Sequence, residues 1–137
     1  MFINLLVYIV YNMINVDVSW EEIESLADRI AESIKASPVE PKHLFAVDKQ
    51  SLIPVMIISR KLDIPITENR RQGYTVFVSM FANTGDTLNR ATRLCYCFAT
   101  AALILRHGSS FSPDFLGRLG DPDSFYRFPW DKDIQKK

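Results

Sequence analysis

Ile23, Leu26, Ile30 and Ile34 recur at spacings of three and four, which puts them on one face of a helix. The residues ahead of them, Ser19-Trp20-Glu21-Glu22, form a capping box: the Ser19 hydroxyl accepts from the Glu22 amide and the Glu22 carboxylate reaches back. Val18 and Ile23 occupy the staple positions, and Ser37-Pro38 ends the run. Leu44-Phe45-Ala46-Val47 has no polar alternation, the pattern of a strand covered on both faces. A polar turn, Asp48-Lys49-Gln50-Ser51, leads to a helix from Leu52 to the region of Leu62, with Ser51 as candidate cap. Asp63-Ile64-Pro65 stops that helix. Thr75 to Ser79 reads as a second buried strand. After the polar segment Asn83-Thr84-Gly85-Asp86-Thr87, a third helix is expected to carry Leu88, Ala91, Cys95 and Phe98 at helical spacing. Ala101 to Leu105 makes another strand, and the C-terminal remainder reads as loop-rich with one aromatic segment.

Strand, helix, strand, helix, strand implies right-handed crossovers. The expected fold is α/β, in three layers, a mainly parallel sheet with flanking helices. The 137 residues fit one domain, 1–137, with Met1–Asn12 as an N-terminal extension ahead of a second start at Met13. In such sheets ligands gather at the carboxyl ends of the strands. The turns 48–51 and 83–87 both lie there.

Composition narrows the classes. At 47% hydrophobic and 23% charged the chain is globular. Sixteen basic and sixteen acidic residues cancel, so no net field steers it to nucleic acid, and Arg70-Arg71 is the sole basic hint. Cys95 and Cys97 point roughly 200° apart on a helix and cannot chelate one ion together. They suit core positions in a reducing, cytoplasmic setting. His43 and His107 stand alone, so no metal held by protein ligands alone is expected. The apolar start, Met1–Val16, is shorter than the ~20 residues of a membrane span and lacks a basic flank, favouring a strand or packed extension over membrane association.

Thr84-Gly85-Asp86-Thr87 is the strongest functional candidate. Glycine lets the backbone close on an anion, two hydroxyls can donate, and a helix N-terminus adds partial positive charge. The same four residues also make an ordinary helix start, and Asp86 opposes an anion. The wider pattern adds weight. Trp20-Glu21, then Phe45-Ala46-Val47 with Leu52-Ile53-Pro54, then Asn83-Thr84-Gly85-Asp86-Thr87-Leu88, and finally Phe125-Tyr126-Arg127-Phe128-Pro129-Trp130-Asp131 occur in that order. Together they resemble the short purine phosphoribosyltransferases of the xanthine-guanine type, over most of the chain from Val16 to Asp131.

The resemblance implies an enzyme that joins a purine to the ribose 5-phosphate of phosphoribosyl pyrophosphate, releases pyrophosphate and uses Mg2+. It places the 5-phosphate on Thr84, Gly85, Asp86 and Thr87, and the pyrophosphate on the turn containing Lys49, Gln50 and Ser51. The base would stack on Phe125 beside the Tyr126 backbone, with Arg106 nearest to the position that reads the purine oxygen. It also suggests a homo-oligomer.

The chain departs from the family pattern at four places. Ser79 and Met80 stand where two acidic residues bind the ribose hydroxyls and help to organise the metal. At about 1.5–3 kcal/mol for each charged hydrogen bond, their loss amounts to roughly 3–6 kcal/mol, or two to four orders of magnitude. Asn83 replaces the Asp that carries a proton near the purine and cannot shuttle one itself. The 48–51 turn lacks the family's glycines and adds Asp48. Only Ile66 to Thr75 occupies the place of a long closing loop, too short to exclude water. Three functions follow: a degenerate member that binds a purine mononucleotide or phosphoribosyl ligand with weak or no turnover, an active transferase with a reorganised site, or a non-catalytic interaction scaffold.

Overall fold

The computed structural model describes residues 14–93 and 98–131. In chain order it contains β1 (Ile14–Asp17), α1 (Trp20–Ala36), β2 (His43–Ala46), α2 (Leu52–Leu62), β3 (Thr75–Ala82), α3 (Asp86–Arg93), β4 (Ala99–Arg106), β5 (Phe115–Gly120) and β6 (Ser124–Arg127). Strands β2-β3-β4-β5 form one sheet in that order, every pair parallel, and β1 pairs in parallel with β6 as a separate two-stranded unit. The expected α/β architecture is present. Met1–Asn12, Cys95 and Cys97 lie outside the described residues. No helix among the described residues is long and apolar enough to cross a membrane.

The pleat of β3 divides the core. Val76, Val78 and Met80 join Ala101 and Leu103 of β4 in a cluster closed by Ile23, Leu26, Ile30 and Ile34 of α1 and by Val55 and Ile58 of α2. Phe77 points the other way and meets Phe45, Ala102 and Leu88 of α3. Helices therefore cover both faces. The α1 start is capped as its sequence requires, with the Glu22 amide 3.1 Å from Ser19 Oγ and Val18 and Ile23 both fully buried. The other half of the capping box is replaced: the Glu22 carboxylate lies 2.9 Å from Arg118 Nε on β5, a tertiary partner that outcompetes the local one.

Two elements differ from the sequence pattern. Phe98 is not on α3. Its amide donates to the Thr75 carbonyl at 3.2 Å as the chain enters β4, and its ring meets Tyr74 edge-on at 5.4 Å. The C-terminal stretch contains two strands where loop was expected. Phe115–Gly120 carries two glycines and no clean alternation, so its strand character is imposed from outside. Asp114 fixes its start, accepting from the Thr100 amide at 2.8 Å while its own amide donates to Thr100 Oγ1 at 3.2 Å. Arg29 Nη1 donates to the Gly117 carbonyl at 2.8 Å, and any Cβ at Gly117 would sit 2.3 Å from the Leu103 carbonyl oxygen.

Candidate functional site

Two polar turns leave the sheet side by side, after β2 and after β3. In the first, Asp48 Oδ1 accepts from the Ser51 amide at 3.0 Å and from the Ser51 hydroxyl. The Ser51 hydroxyl in turn accepts from the Met80 amide at 2.8 Å. Pairing of β2 with β3 stops at Ala46–Val78, with one further bond from the Val47 amide to the Val78 carbonyl. Ser51 Oγ supplies the acceptor that the ladder then lacks. Ser51 is fully buried, Lys49 is exposed and Gln50 is half-buried. The cap expected of Ser51 is thus corrected: its hydroxyl makes no bond to the start of α2 and is turned into the protein, where it accepts from the Met80 amide.

The second turn is built differently. Gly85 has φ +85°, a left-handed conformation that favours glycine, and a Cβ there would lie 2.1 Å from Phe111 Cβ. Its carbonyl accepts the first bond of α3, from the Asn89 amide at 2.9 Å, and Thr84 Oγ1 accepts from the Asp86 amide at 3.2 Å. Among the described residues the amides of Thr87 and Leu88 meet no acceptor, as befits the first turn of a helix. Asn83, Thr84, Asp86 and Thr87 are all exposed. With Ser79 they line a concavity of about 100 Å³ at the end of β3. The turn is held from behind by residues after β4: Ser109 Oγ donates to the Thr84 carbonyl at 2.9 Å, and the Phe111 amide donates to Ser109 Oγ at 3.2 Å.

Arg106 ends β4 next to Asn83. Its Nε donates to Asn83 Oδ1, and Nη1 lies 2.8 Å from the Ser124 carbonyl and 2.9 Å from that of Pro122. Asn83, Thr84, Arg106 and His107 share a wider space of about 340 Å³. Phe125 is 53% exposed on β6, so it is free of the core. Tyr126 is buried against Phe81 at 5.4 Å, and its hydroxyl accepts from the Asp121 amide at 2.7 Å.

No protein-family model matches the chain, and a search of curated proteins finds no match. Solved structures do match. A purine phosphoribosyltransferase of Pyrococcus horikoshii OT3 superposes with TM-score 0.71 at 22% identity, over 86% of this chain and 94% of that one. The xanthine-guanine-hypoxanthine phosphoribosyltransferase of Helicobacter pylori gives TM-score 0.72 at 12% identity, over 89% and 97%. A hypothetical protein of Neisseria gonorrhoeae with bound ppGpp gives 0.73 at 16%, over 90% and 93%. This is the purine phosphoribosyltransferase fold.

On that fold the two positions that resemblance makes acidic have different fates. Both are buried: Ser79, 1% exposed, borders the concavity of the second turn, and Met80 lies in the apolar cluster under α1 and α2. Neither offers a carboxylate, and among the described residues no group of three or more His, Cys, Asp or Glu could hold a metal ion. The residues present therefore do not fit a magnesium site of the kind resemblance implies. Ser109 and Phe111 bear on the second turn without any sequence signature, since both reach it only through the fold. Arg70 and Arg71 are both exposed in the 63–74 connection, and the Arg70 guanidinium lies 6.0 Å from the centre of the Phe45 ring.

Proposed function

We propose that this protein is a phosphoribosyltransferase-like nucleotide-binding protein that takes a purine mononucleotide, or a related phosphoribosyl ligand, with weak or no turnover. The observation that carries the proposal is the open turn at 84–88: a left-handed glycine, exposed threonines and unengaged helix-start amides at the carboxyl end of a central parallel strand. The 5-phosphate rests on Thr84, Gly85, Asp86 and Thr87. The base stacks on the exposed ring of Phe125 beside the Tyr126 backbone. Weak or absent turnover is supported by three features of the site. Ser79 and Met80 provide no carboxylate for the ribose hydroxyls, Asn83 cannot carry a proton, and the 48–51 turn spends the Ser51 amide and hydroxyl on Asp48 and Met80.

Calorimetry with GMP, IMP and XMP tests the binding claim, and ppGpp joins the panel because the gonococcal neighbour carries it. Expected is binding tighter than about 1 mM for at least one of them, abolished by Gly85→Val; uniform failure rejects the proposal. Turnover is measured separately, as Mg2+-dependent release of pyrophosphate from phosphoribosyl pyrophosphate with guanine, xanthine or hypoxanthine. Clear turnover at micromolar protein would make it an active transferase instead.

A further inference from the structure

Arg106 sits between two segments that the proposed ligand must span. Its Nε donates to Asn83 Oδ1, one residue ahead of the phosphate turn. Its Nη1 reaches the carbonyls of Ser124 at 2.8 Å, Pro122 at 2.9 Å and Asp121 at 3.3 Å, one residue ahead of Phe125. The guanidinium carbon lies 5.4 Å from the centre of the Phe81 ring, which itself packs on Tyr126. A planar fork of donors can hold divergent acceptors in this way, while a lysine would offer a single flexible point. Asn83 suits the arrangement because its amide oxygen accepts without adding a charge.

We propose that Arg106 is a positioning residue that fixes the phosphate turn relative to the base-side segment 121–126, and does not itself read the base. The proposal rests on the nucleotide reading above for its ligand. A ligand whose phosphate and base are both engaged gains from their fixed separation, since the second contact is made at a high effective concentration. Either half alone gains nothing from it.

The test uses the full chain and the variants Arg106→Met, Arg106→Lys and Asn83→Ala, with GMP, AMP, ribose 5-phosphate and guanosine as calorimetric probes. For Arg106→Met the expected loss is about tenfold or more for GMP and AMP alike, but within about threefold for ribose 5-phosphate and guanosine. Arg106→Lys should recover part of that loss. A loss restricted to GMP would show that Arg106 reads the base, and an equal loss for ribose 5-phosphate would reduce it to a support of the phosphate turn; either overturns the proposal. Amide hydrogen exchange on the ligand-free protein decides the matter independently of whether any nucleotide binds. In Arg106→Met the amides of Asn89 and Asp121, bonded to the Gly85 carbonyl and the Tyr126 hydroxyl, should lose protection together. In Asn83→Ala only Asn89 should respond. A response of one segment alone to Arg106→Met rejects the coupling, whereas failure of every nucleotide to bind rejects only the ligand assignment.

Discussion

The turns after β2 and β3 share a place in the fold and little else. Each follows an apolar parallel strand, each is polar, and each precedes a helix. The 48–51 turn is closed by its own side chains: Asp48 takes the Ser51 amide and hydroxyl, and Ser51 takes the Met80 amide. The 84–88 turn is braced from outside, by Ser109 on the Thr84 carbonyl and Phe111 against Gly85, and the amides of Thr87 and Leu88 meet no acceptor among the described residues. Buried backbone donors must be satisfied, so a turn that lends its side chains to a neighbouring strand no longer has them for a ligand. The position of a turn at the end of a parallel strand makes an anion site possible. Where its hydrogen bonds go decides whether one exists.

Strand β3 joins the two turns, and substitutions at its end should separate them most strongly. Met80 has no exposure and lies in the apolar cluster beneath α1 and α2. Met80→Asp would bury a charge without a partner, at an expected cost of about 3–5 kcal/mol in urea unfolding. Ser79 is itself only 1% exposed but borders the 84–88 concavity, so Ser79→Asp should also cost stability, less than Met80→Asp because its carboxylate adjoins that open space, and should weaken phosphate binding in addition. Equal costs at the two positions would mean that the concavity gives a charge at Ser79 no relief. Gly85→Val comes next. A β-branched residue in the left-handed region, with its Cβ 2.1 Å from Phe111 Cβ, should cost about 2–4 kcal/mol and remove nucleotide binding.

The contrast between the turns was only half legible in the sequence. The helix starts, the apolar strands and the Thr-Gly-x-Thr segment are local patterns, and α1, α2, β2 and β3 formed close to where those patterns lie. The partners of Ser51 and Arg106 are not local. Met80 is 29 residues from Ser51, and Asn83 is 23 from Arg106. Local pattern suggests a cap for the first, and the family resemblance a ligand contact for the second, because nothing nearby in sequence competes for either group. β5 was hidden for the same reason: Gly117 reads as a loop residue until the Leu103 carbonyl is placed against it.

Ser51→Ala tests the closed turn. It removes the acceptor of a buried backbone amide, so the expected loss is about 1–3 kcal/mol of stability. Nucleotide affinity should change by less than about threefold, since the hydroxyl faces Met80 and Asp48. A large loss of affinity without a stability change would place Ser51 at the ligand and erase the distinction between the turns.

Ser109→Ala is the counterpart on the open turn and should have the smallest effect on stability. The hydroxyl donates to the Thr84 carbonyl and accepts from the Phe111 amide, both in a half-buried loop where water can replace it. The expected loss is about 0.5–1.5 kcal/mol at most. The consequence for binding should run the other way. Without Ser109 the Thr84 carbonyl is free to turn, and the amides of Thr87 and Leu88 lose the fixed direction on which an anion depends. Ribose 5-phosphate affinity should therefore fall by about two- to tenfold, the range to which such an energy corresponds. The two serines are then expected to split in opposite senses, Ser51 toward stability and Ser109 toward ligand. If Ser109→Ala lowers stability and leaves ribose 5-phosphate binding unchanged, the external brace is ordinary loop packing, and the openness of the 84–88 turn owes nothing to it.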